Sequence, residues 1–208
     1  MPKNKIQTAV DNKDKQHTYA YWKRRYTLAM KYGFYFEAMM IDYALLEDRL
    51  ASVLYHSGVM KNRQKLSMDA GATKKIFRQM MMDQGLFSEN ERLQLKNISG
   101  KVKLLRTILL WVDSSENVQE SERFLKALKY QYESADIGGL MDALDKILDW
   151  CAYRNEIVHA SLNKNVESLY EEIEKRAAEG FDLANFLDSQ ERIIKKSGAI
   201  RKAANLQN

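Results

Sequence analysis

Apolar residues along this chain recur at steps of three and four and almost nowhere alternate, so the pattern predicts helices from end to end. Met39, Tyr43, Leu46, Leu50 and Val53 form one stripe, widened by Ile41, Leu45 and Leu54. They predict a central helix over 34–57, contacted on more than one side and closed by Gly58. A helix from about His17 to Gly33 precedes it. After a polar connection over 60–71, Ile76, Phe77, Met80 and Met81 predict a short helix capped by Thr73. Ser88-Glu89-Asn90-Glu91 reads as a capping box for a helix that uses Leu93, Leu95, Ile98, Val102, Leu105, Ile108, Leu109 and Val112. Asn117 with Glu120 starts another, running to Tyr132, and Gly138-Gly139 reads as a hinge before a helix over 140–160. Asn165 caps a further helix ended by Gly180, and Asp182 starts the last. The expected fold class is all-α, a helical bundle with the 140–160 helix packed on the 34–57 helix.

In the 140–160 segment the pattern meets chemistry. Leu140, Leu144, Ile147 and Cys151 step by four, three and four, and the next slots are Arg154 and Val158. The neighbouring line, Leu144, Leu148 and Cys151, reaches Asn155, with His159 one turn later. A charged side chain in a core slot is costly unless it is paired or faces a cleft that holds an anion. Glu47 and Asp48 lie beside the stripe of the central helix, where a carboxylate can pair with Arg154 and hold its guanidinium in place. The plainer expectation for both is solvation or an ordinary ion pair within a helix.

Arg154-Asn155-Glu156-Ile157-Val158-His159 has an arginine, a polar residue straight after it, and a histidine five positions on. This resembles the signature of the HEPN superfamily, small all-helical domains many of which are metal-independent endoribonucleases in toxin, phage-defence and RNA-processing systems. The resemblance implies a HEPN-type bundle, here with additional N- and C-terminal helices, RNA as partner, and Arg154, Asn155 and His159 as catalytic residues. Cleavage of RNA through its own 2′-hydroxyl needs a base, stabilisation of an anionic phosphorus centre and an acid for the leaving 5′-oxygen. Histidine serves as acid or base near neutral pH, and guanidinium is a permanent planar fork for phosphate oxygens. No metal or cofactor is expected. Arg154 and His159 are roughly 140° apart on an ideal helix, and one histidine faces two proton-transfer roles, so a homodimer with two His159 side chains in one cleft is expected. Some HEPN toxins continue the motif to a tyrosine two residues after the histidine, which a nucleotidyltransferase antitoxin adenylylates. Here that position is Ser161, which speaks against that regulation while leaving an antitoxin or other protein partner open. The alternative function is a non-catalytic HEPN-like module that binds RNA or a protein.

Composition narrows the setting. With 208 residues the chain suits one domain, placed at 17–196 between a disordered basic tail over 1–16 and a loose tail over 197–208. The single cysteine, Cys151, excludes an intramolecular disulfide, and with no apolar leader the expected compartment is a reducing cytoplasm. No membrane is expected as partner, since the best apolar run, Leu104 to Val112, is short and contains Arg106. The net charge of +5 is modest, but residues 1–32 alone carry eight Lys or Arg against two Asp. Lys23, Arg24 and Arg25 are the RNA-binding candidates, interleaved with Tyr19, Tyr21, Trp22, Tyr26 and Tyr32. These rings either stack on unpaired bases or, the favoured expectation, pack on the bundle or a second subunit.

Overall fold

A computed structural model describes residues 12–62, 65–66, 70–89, 95–114, 123–160, 167 and 170–197. Among these the chain forms α1 (Asn12–Lys31), α2 (Tyr35–His56), β1 (Met60–Asn62), β2 (Lys65–Leu66), α3 (Ala70–Asp83), α4 (Ile98–Ser114), α5 (Arg123–Tyr132), α6 (Ile137–Ala160) and α7 (Ile173–Ser197). The fold is all-α apart from one short antiparallel hairpin, β1 with β2, in the connection that has no helical periodicity. Among the described residues no helix is long and apolar enough to cross a membrane.

Helix α2 is the axis of the core, with Leu46, Leu50, Val53 and Leu54 wholly buried. They meet Leu104, Leu105 and Ile108 of α4 and Leu187 and Ile194 of α7 in one apolar cluster. Each such side chain contributes roughly 1.5–3 kcal/mol by leaving water. The expected pairing is corrected in one respect. The most extensive partner of α2 is α7, whereas α6 packs chiefly on α4 and α7 and reaches α2 through side chains at its C-terminal end.

Several boundaries move, each for a local reason. Helix α1 begins at Asn12, inside the expected tail; residues 1–11 and 198–208 lie outside the described residues. Helix α4 begins at Ile98, where Asn97 Oδ1 accepts from the Gly100 amide at 2.9 Å; part of the Ser88 capping box lies outside the described residues. The expected starts at Asn117 and Asn165 lie there too. Gly138 and Gly139 are not a hinge but the first turn of α6, capped by Asp136, whose Oδ1 accepts from the Gly139 amide at 2.8 Å. A Cβ on Gly139 would overlap the Asp136 carboxylate that caps the helix. Gly180 ends nothing either: α7 runs straight through it, and glycine is needed there because a Cβ would lie 2.8 Å from the indole of buried Trp150. Gly33 and Gly58, in contrast, have φ of 75° and 70° and close α1 and α2 in the left-handed turns that favour glycine.

Candidate functional site

The buried line of α6 is Leu140, Ala143, Leu144, Ile147, Trp150 and Ile157. It turns through Trp150, a residue the spacing argument passed over, so Cys151, Arg154 and Val158 form its half-buried edge and Leu148 faces solvent. Arg154 therefore does not occupy a core slot but the rim of one. The turn before it is held by α7: Trp150 Nε1 donates to the Arg176 carbonyl at 2.7 Å, and the Arg176 guanidinium lies over the Tyr153 ring while bonding Asp149 at 2.8 Å.

The guanidinium of Arg154 sits 4.5 Å from the centroid of the Tyr43 ring on α2. Its Nη1 donates to Asn155 Oδ1 at 3.0 Å, and its Nη2 points at Met40 Sδ at 3.3 Å, a weak acceptor. Its Nε is buried and has no partner. Tyr43, a member of the apolar stripe of α2, and the exposed Met40 are thus site residues, and nothing in the periodicity marks either. Both are on α2 at the three-residue step that puts them on one helix face. Asn155 and His159 are exposed, one turn apart on α6. Asn155 accepts from Arg154 and lies one turn before His159 on the same helix. Among the described residues no hydrogen bond joins Arg154 to His159.

Glu47 and Asp48 do not support Arg154. Glu47 accepts from the nearly buried Lys101 Nζ at 2.9 Å, and Asp48 is engaged by Arg49 Nη2 at 3.0 Å and by the Tyr19 hydroxyl. Each is captured by a cation or donor closer along the bundle than Arg154. Burial pushes the thiol of Cys151, beside the site, up to about 11, with Arg154 only partly opposing, which favours the protonated thiol over the thiolate. Among the described residues no three His, Cys, Asp or Glu side chains converge as a metal-binding group.

The N-terminal candidates divide. Lys23 is half-buried and structural, donating to Asn185 Oδ1 of α7 at 3.0 Å near the Phe181 ring. Arg25 pairs with Glu37, while Arg24 is exposed. Packing claims Tyr26, stacked on Phe181 with centroids 4.0 Å apart, and Tyr19, which lies under the Arg49 guanidinium. Tyr21, Trp22 and Tyr32 stay exposed.

A second polar cluster, between α2 and α7, went unseen in the sequence. Buried Arg49 donates through Nη1 to both Asp188 and Glu191 at 2.6 Å; Ser52 donates to Glu191 at 2.7 Å, and His56 Nε2 lies 3.4 Å from it. Burial raises the Glu191 carboxyl, but bonds from His56 and Ser52 and the Arg49 charge hold it down to about 2. The spacing of Arg49, Ser52 and His56, one helix face at steps of three and four, was the available signal. This cluster is a lock between helices, since every member already has a partner in the chain. Searches with the chain against protein-family models, curated proteins and solved structures return no match, so its function is read from these residues and their geometry.

Proposed function

We propose that this chain is a metal-independent endoribonuclease of HEPN type that cleaves RNA through the 2′-hydroxyl, with Arg154, Asn155 and His159 as its working residues. The observation that carries the reading is Arg154 itself. Its guanidinium is half-buried against Tyr43, its Nε has no partner, and among the described residues it forms no ion pair with a carboxylate. Such a cation keeps its charge for an incoming anion, and phosphate oxygens match the fork. In the reaction the 2′-oxygen attacks phosphorus as a base takes its proton, the bond to the 5′-oxygen breaks, and an acid protonates that oxygen. The products are a 2′,3′-cyclic phosphate and a 5′-hydroxyl. Arg154 stabilises the anionic centre, Asn155 orients the Arg154 fork through the bond it accepts, and His159 moves the proton.

Base and acid are two roles and each chain brings one His159, so the working site forms from two copies across a two-fold axis. We place the protein in a reducing cytoplasm, with an antitoxin or other protein as the partner expected of a toxin or phage-defence nuclease. His159→Ala lowers single-turnover cleavage by roughly 10²–10⁴, and the fold is kept because this side chain is exposed. Arg154→Ala is comparably damaged, and Arg154→Lys is barely rescued because an ammonium has no fork. Equal rates in wild type and His159→Ala would instead support the non-catalytic module, which the absence of a hydrogen bond between Arg154 and His159 among the described residues favours.

A further inference from the structure

Helix α1 has two faces, and only one is used by the bundle. The inner face is filled by Tyr19, Tyr26 and Ala29. On the outer face Tyr21, Arg24 and Leu28 follow at steps of three and four, and Lys31 and Tyr32, three and four beyond Leu28, complete a stripe about 16 Å long. Tyr21 is 57% and Tyr32 62% exposed. Trp22 flanks the stripe, edge to face with Tyr21 at 5.2 Å. Lys31 Nζ lies 5.5 Å from the centre of the Tyr32 ring, and Arg24 is exposed. Rings of this size are rarely left in water side by side on a helix that already has a satisfied apolar face.

We infer that this outer stripe is a binding site for single-stranded nucleic acid, in which the Tyr21, Trp22 and Tyr32 rings stack on bases and Arg24 and Lys31 meet phosphates. It takes its ligand class from the nuclease reading and nothing from the cleavage step. The charge of the helix selects the occupant. The stripe carries Arg24 and Lys31 and no Asp or Glu, so a second copy presenting the same stripe would be repelled, whereas a polyanion is drawn in. A lipid surface asks for an unbroken apolar face, and here cations interrupt the rings. Stacking accepts any base, so affinity without sequence preference is expected.

The test is anisotropy of a labelled 2′-O-methyl oligouridylate, which has no free 2′-hydroxyl and reports binding without cleavage. Tyr21→Ala and Tyr32→Ala should each weaken binding by roughly 5- to 100-fold. Tyr21→Phe should retain it, and Tyr130→Ala, which removes an equally exposed ring on α5, should change nothing. Arg24→Gln should lower the slope of log Kd against log salt by about 0.7. Wild-type affinity in both tyrosine-to-alanine variants, with circular dichroism unchanged, overturns the inference. So does a Tyr21→Ala variant that loses self-association while binding normally, which would assign the stripe to a second copy. If the wild type cleaves no RNA yet Tyr21→Ala loses affinity, the stripe stands and the nuclease reading falls. If cleavage needs His159 while the tyrosine variants bind as wild type, the reverse holds.

Discussion

Asp42 lies wholly inside the bundle with neither carboxylate oxygen hydrogen-bonded. Burial, helped by the nearby Asp182 charge, raises its carboxyl to about 9, so it is neutral at pH 7 in the folded protein and ionised in the unfolded chain. Holding that proton costs on the order of 4 kcal/mol at pH 7. The sign follows from linkage: a raised carboxyl leaves stability intact below its ordinary value of 3.8 and erodes it as pH climbs towards 9. Glu191 acts oppositely, its depressed carboxyl contributing stability above its ordinary 4.5 that is lost as pH falls towards 2. Asp42→Asn should therefore raise Tm by roughly 2–4 °C per kcal/mol recovered and flatten the fall in stability between pH 4 and 9. A wild-type pH profile in that variant would show that the carboxyl is not held neutral. Neither residue stands out in the sequence. An aspartate beside Ile41 reads as an ordinary helix position, and its burial depends on α7, which arrives well over a hundred residues later.

Trp150 and Gly180 carry the fit of α6 on α7. The indole is fully buried, anchored to the Arg176 carbonyl, and would stand 2.8 Å from a Cβ at position 180. Gly180→Ala should destabilise the protein although alanine favours helix by about 1 kcal/mol, because overpacking against a fixed ring costs typically 1–3 kcal/mol. A rise in Tm on thermal denaturation would mean the indole can yield. The same residue shows where periodicity is legible and where it is not. The stripe of α2, its end at Gly58 and the end of α1 before Gly33 follow from spacing and from glycine's left-handed turn. Gly180 reads equally well as a terminator, and only the ring opposite it decides that α7 is one helix. In the site, likewise, the polar interruption at Arg154 and Asn155 was visible, but its platform, Met40 and Tyr43, belongs to another element. Glu47 and Asp48 looked available until Lys101 and Arg49 were brought beside them.

For the molecule as a whole, the proposed cleavage sets the assembly. It asks two proton-transfer roles of one His159 per chain, and under that proposal the second is supplied by a second copy. Light scattering at micromolar concentration should give a dimer, and a monomer that retains full ribonuclease activity would contradict the composite site. The all-α class was legible because apolar steps of three and four run through most of the chain. The partner of α2 was not, because both α6 and α7 offer it a stripe of suitable length. The most direct test of the central claim is end-group analysis of single-stranded RNA incubated with the purified protein in EDTA. Strand scission should leave a 2′,3′-cyclic phosphate, should be lost in His159→Ala and should spare DNA of the same sequence, since DNA lacks the attacking hydroxyl. Intact RNA, or scission that leaves other ends or needs an added metal ion, would contradict it.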